Sequence, residues 1–195
     1  MARVLVVCTG NVCRSPIAEG LLRAALEARL GDEAPSVSSA GTMGWEGSGA
    51  DPASVEAAAE RGVDISAHRA RELRSEEAVG ADLVLGMARE HADALSRLAP
   101  GTTFTLKELV RLLEALPPSP GPGAPDGILP ARVAAADALR RSGFEGNPYD
   151  EDIADPLGMP LESFRAIAWE LDEWCGRLAN GLFGRRPART GAEVD

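Results

Sequence analysis

Val4, Leu5, Val6 and Val7 run without a polar interruption into Cys8, and Thr9-Gly10-Asn11-Val12-Cys13-Arg14 then leads to Ser15-Pro16. An apolar run of this kind reads as a strand buried on both faces, as in a parallel sheet. Gly10 and Asn11 turn the chain. Ser15 is expected to cap a helix, with Pro16 at its first position, where the missing N–H costs nothing. Ile17, Leu21, Leu22, Ala25 and Leu26 supply one apolar face. Strand, tight loop and helix in that order predict an α/β fold in which the first strand lies inside the sheet.

The rest of the chain repeats the alternation. Strands are expected over 37–40, 81–87 and 102–106. Helices are expected from Asp51-Pro52 to a closing Gly62, and over 89–98, 107–116, 129–141 and 161–182. A glycine-rich loop, 41–49, surrounds Trp45. The last helix should bury Leu161, Phe164, Ile167, Ala168, Leu171, Trp174, Cys175, Leu178 and Leu182. The stretch PPSPGPGAPDG has no core-forming pattern, and 143–160 reads as loop. We expect one domain over 1–183 and a disordered tail over 184–195.

Composition narrows the function. With 20 basic against 30 acidic residues the net charge is −10, which disfavours nucleic acid and anionic membranes as partners. No apolar run reaches the ~18 residues of a membrane span. The apolar stretch at the N-terminus is too short for a signal peptide. Three cysteines, Cys8, Cys13 and Cys175, cannot all pair within the chain, so a reducing cytoplasm is expected. Nineteen of the basic residues are arginine and Lys107 is the single lysine. With the alanine excess we read that bias as the mark of a GC-rich genome.

The chemistry concentrates in 8–15. A loop between a parallel strand and its helix lies where α/β sheets bind ligands. It can turn backbone N–H groups inward around an anion, with the helix N-terminus adding partial positive charge. Arg14 offers a planar fork for two phosphate oxygens. A thiol at the base of such a cup ionises more readily than a free one and is a nucleophile. Cys8 and Cys13 have no further cysteine or histidine near them in sequence, so no metal site is expected. No nucleotide-hydrolase phosphate loop is present.

VLVVCTGNVCRSPIAEGLL resembles the N-terminal signature of the low-molecular-weight protein tyrosine phosphatases. SSAGTMGWEGSGADP, GVDISAHRARE, ADLVLGMAREH and Asp155-Pro156 follow in the order of that family. The resemblance implies a four-stranded parallel sheet flanked by helices on both faces, flavodoxin-like, with no cofactor. Residues 117–148 are then an inserted loop and helix before the acid loop. It implies that Cys8 is the nucleophile. Thr9, Gly10, Asn11, Val12, Cys13, Arg14 and Ser15 form the phosphate-binding loop, and Asp155 is the general acid and base. Asn11, Ser15, Ser39 and His68 match the family's supporting hydrogen-bond network. Asn11 suits a left-handed backbone position. Ser15 can donate to the Cys8 thiolate. His91, at a helix start, is expected on the surface.

Val12, Trp45 and Leu157 match the substrate slot, with two departures. The family usually carries an aromatic residue directly after Asp-Pro, where this chain has Leu157. Members acting on phosphoarginine carry threonine where this chain has Val12, so valine points to an aryl phosphate. Phe144 and Tyr149, at the end of the insert, are candidates for the missing aromatic wall, and a surface decoration is the alternative. Cys13 is a candidate redox partner of Cys8, and simple packing is the alternative. The implied substrate is a tyrosine-phosphorylated protein or a small aryl phosphate, handled by a monomer. Two rivals stand beside this reading. A thiol-coupled arsenate reductase would need further cysteines after the third strand, and GMAREHADALSRL has none. A phosphate-binding module without catalysis would not need Cys8, Arg14 and Asp155 together.

Overall fold

A computed structural model describes residues 1–119, 121, 125–144 and 150–184. Four parallel strands, β1 (Arg3–Cys8), β2 (Ser36–Gly41), β3 (Leu83–Gly86) and β4 (Thr103–Thr105), lie in the order β2-β1-β3-β4. Val7 pairs with Ala40 on one side and Gly86 on the other. The strand that ends in Cys8 is therefore interior.

Alternation along β1 sends side chains to two apolar layers. Val4, Val6 and Cys8 join the larger layer. It is built with α1 (Arg14–Leu30), α2 (Pro52–Glu60), α5 (Leu106–Ala115), α6 (Pro125–Arg141) and α7 (Leu161–Phe183). Leu5 and Val7 face a smaller layer with Ala78 of α3 (Ser75–Gly80) and Leu95 of α4 (Arg89–Ser96). Helices thus cover both faces of the sheet.

Several sequence expectations shift. Helix α1 begins two residues early, with Cys13 in the cap position. Ser15 therefore lies inside the first turn and is not the cap; its hydroxyl is committed elsewhere. Helix α3 was not foreseen, because SEEAVG is short and contributes only Ala78 to the core. Asp51 caps α2 as expected, accepting from the Ala53 N–H at 2.8 Å. On α7, Leu161 and Trp174 are only partly buried. Three cations surround Trp174, the closest being the Arg177 guanidinium, 4.0 Å from the ring centroid.

The helix expected within 117–148 is part of the core. Helix α6 starts at Pro125, a turn before the expected Leu129, and Asp126 in that turn accepts from the Ala2 N–H. Leu129, Val133 and Ala136 are fully or almost fully buried in the larger layer. Arg132 ties α6 to its neighbours through Gly181 O, Pro117 O and Leu113 O. No helix among the described residues is long and apolar enough to cross a membrane. Of the expected disordered tail, 185–195 lie outside the described residues.

Candidate functional site

Cys8 ends β1, and the chain then folds over its own helix start. Asn11 makes that possible: at φ 57° it is the one non-glycine residue in the left-handed region among those described. Gly41 on the neighbouring strand allows the close approach, since a Cβ there would lie 2.4 Å from Thr9 O. Three backbone bonds clamp the next loop to this one: Thr42 N–H to Cys8 O, Met43 N–H to Thr9 O and Trp45 N–H to Gly10 O.

Asn11 is fully buried, and its side chain organises the site. Its Nδ2 donates to Ser15 Oγ at 2.9 Å and to Ser39 Oγ at 2.8 Å, while Oδ1 accepts from the Arg71 N–H. Ser39 Oγ donates to Glu19 Oε2 at 2.6 Å. His68 Nε2 donates to Asn11 O at 2.8 Å, which fixes its tautomer. Ser15 Oγ lies 2.9 Å from Cys8 Sγ. That hydroxyl already accepts from Asn11, so its own proton is free for the sulfur. The four expected supporting residues therefore form one network ending on Cys8.

Arg14 is buried at 4% exposure. Its Nη1 donates to Ile153 O at 3.1 Å and its Nη2 to Asp155 Oδ2 at 2.6 Å, while Nε is buried with no hydrogen-bond partner. Asp155 Oδ1 accepts from the Leu157 N–H across Pro156, and its side chain remains 45% exposed. An exposed acid thus stands beside a buried cation whose Nε–H has no partner. Together with Cys8, Thr9, Gly10, Val12, Cys13, Trp45 and Leu157 they line a cleft of about 110 Å³. A roomier cavity of about 460 Å³ lies between α4, β4, α5 and α6. It is lined by no cysteine and by none of residues 8–15.

The walls are Trp45 and Leu157, half-exposed at 51% and 43%. Phe144 does not replace the absent aromatic: it packs against the core and lines the larger cavity. Tyr149 lies outside the described residues. Cys13 lines the cleft, but burial above all, with Asp51, Asp155 and Cys8 adding, pushes its thiol up to about 12 against the Ser54 hydrogen bond. Cys175 is wholly buried on α7, and burial pushes its thiol up as well. Among the described residues no group of His, Cys, Asp or Glu side chains is disposed to hold a metal.

His91 corrects the sequence reading. It is 2% exposed, and its Nε2 lies 3.0 Å from Thr9 Oγ1. Burial, then the nearby Arg14, holds its imidazole below the ordinary histidine range. Its contact with Thr9 spans 82 residues of chain, and no local pattern announces such a pairing.

The model of the family described as "Low molecular weight phosphotyrosine protein phosphatase" matches residues 3–116. A low molecular weight protein-tyrosine-phosphatase of Streptomyces coelicolor is 44% identical over 119 residues, covering 60% of this chain and 70% of that one. A protein-arginine-phosphatase of Geobacillus stearothermophilus is 34% identical over 185 residues, 92% of this chain and 95% of that one. The crystal structure of a low molecular weight protein tyrosine phosphatase from T. tengcongensis superposes with a TM-score of 0.68 at 38% identity. That match covers 93% of this chain and all of that one.

Proposed function

This chain belongs to the low molecular weight phosphotyrosine protein phosphatase family, and from that premise we propose that it hydrolyses aryl phosphomonoesters, protein phosphotyrosine among them, through Cys8. The observation that carries the proposal is the convergence of a thiol, a buried arginine and an exposed carboxylate on one cleft, with Arg14 and Asp155 141 residues apart. In the first step the Cys8 thiolate attacks phosphorus in line and the P–O bond to the leaving group breaks. Asp155 gives its proton to the departing oxygen. Arg14 and the N–H groups of the loop hold the three remaining oxygens, most strongly in the transition state. In the second step Asp155, now ionised, takes a proton from water as water attacks the cysteinyl-phosphate. The S–P bond breaks, and the Ser15 hydroxyl stabilises the sulfur that leaves.

Phosphoarginine is the second reading, because a protein-arginine-phosphatase aligns with most of the chain. Val12 in the cleft offers methyl groups where a guanidinium would want an acceptor, and Trp45 offers an aryl face. Both favour the aryl ester. The test is hydrolysis of para-nitrophenyl phosphate in EDTA. Wild type should be active and Cys8→Ser inactive, and on phenyl phosphate, whose leaving oxygen needs the proton, Asp155→Ala should lose about 10²–10⁴-fold, the usual worth of a general acid. A folded, reduced and inactive wild type would falsify the proposal. Matched phosphotyrosine and phosphoarginine peptides then decide the substrate class by their ratio of kcat/KM.

A further inference from the structure

Lys107, the single lysine among 20 basic residues, is buried at the start of α5. Its ammonium has three N–H donors and meets three acceptors: Asp150 Oδ1 at 2.8 Å, Asp152 O at 2.9 Å and Glu170 Oε1 at 2.7 Å. Two of these belong to the segment just before Asp155, and the third to α7. The acceptors come from separate segments, which suits a compact ammonium with rotatable donors. A planar guanidinium presents its donors in one sheet and suits such a trio poorly. A chain that otherwise uses arginine keeps lysine here.

The surrounding bonds serve the same segment. Arg111 holds Asp150 O at 2.8 Å and Glu151 Oε1 at 2.7 Å, and Thr105 Oγ1 donates to Glu151 Oε2 at 2.9 Å. The Arg89 N–H donates to Asp152 Oδ1, and the Ile153 N–H to Met87 O at 2.8 Å. Residues 150–153 are therefore fixed to Met87 just after β3 and to β4, α4 and α5, and Asp155 follows two residues later with an exposed carboxyl. Lys107 joins this segment and α7 through one atom.

We propose that Lys107 is the positioning residue of the acid loop, holding Asp155 at the height from which it can protonate the leaving oxygen. The inference rests on the general-acid role proposed for Asp155. Burial works against the ammonium, but its bonds to Asp150 and Glu170 outweigh that and raise its pKa above the ordinary lysine value. The clamp thus stays charged wherever the enzyme works.

The test compares Lys107→Met, Asp155→Ala and their double variant on para-nitrophenyl phosphate and phenyl phosphate, beside hydrogen exchange at the Ile153 amide. Displacing the acid by about an ångström costs on the order of 10²-fold. Lys107→Met should therefore lose about that much kcat/KM on phenyl phosphate, and far less on para-nitrophenyl phosphate, whose leaving oxygen needs little protonation. The double variant should be no slower than Asp155→Ala, and Ile153 should exchange faster in Lys107→Met. Equal losses on both substrates, additive losses in the double variant, or unchanged exchange overturn the inference. Should Lys107→Met not fold, Lys107→Arg carries the same test, with a smaller loss of the same leaving-group dependence expected. If Asp155→Ala itself shows no leaving-group dependence, the acid assignment falls and takes this one with it. If Asp155→Ala shows it and Lys107→Met does not, only Lys107 is at fault.

Discussion

Ser15 has one proton and two neighbours, and Asn11 decides where the proton goes. A hydrogen bond to a charged group contributes about 1.5–3 kcal/mol, or about 10- to 150-fold in rate. The sulfur carries that charge when it leaves phosphorus. Ser15→Ala should therefore slow the second step more than the first, and a burst of para-nitrophenol should appear in stopped flow where wild type shows a smaller one. His91 gives a different kind of prediction. Unfolded, it titrates near the ordinary value of about 6.5; folded, it resists the proton. Its contribution is fully present above about pH 6.5 and is lost as pH falls from there toward the lower folded value. Urea midpoints should drop on acidification across that window, and His91→Asn should flatten the drop. At this scale the sequence was legible only in part. Cys8 and Arg14 stand on a local pattern of strand, turn and helix. Asp155 became visible only through family resemblance, and His91 was misplaced, because contacts across most of the chain leave no mark in periodicity.

Helices show the same division between local and distant causes. Strand β1, helix α1 and the Asp51-Pro52 start of α2 follow from patterns a few residues long. Ser15 does not cap α1, because its hydroxyl is held between Asn11 Nδ2 and Cys8 Sγ inside the first turn. Helix α6 was readable as a helix, but its burial was not, since a Pro- and Gly-rich approach disguises the Leu129, Val133 and Ala136 face. Leu129→Ala should cost about 2–5 kcal/mol in denaturant unfolding, as buried leucines do, while kcat/KM for para-nitrophenyl phosphate is unchanged. Phe144→Ala should leave KM for aryl phosphates as it is, because its ring faces the larger cavity. A raised KM would return Phe144 to the substrate wall.

The whole molecule carries a net charge of −10 around a cleft that takes anions. Arg14 attracts at contact range, while the overall field repels at long range. At low ionic strength kcat/KM should therefore be lower for an acidic phosphopeptide than for a basic one of equal length. The two should converge as salt shortens the screening length to about 10 Å at 0.1 M and less beyond. A ratio independent of salt would mean that the local cation alone governs capture. The distance along the chain between Arg14 and Asp155 has a consequence for biosynthesis. Ribosomes extend a chain at about 5–20 residues per second. The phosphate loop thus emerges roughly 7–30 s before the carboxylate that completes it. A nascent chain stalled before Asp155 holds the thiol without the proposed acid, so on this reading the onset of catalytic activity times the arrival of the last part of the chain.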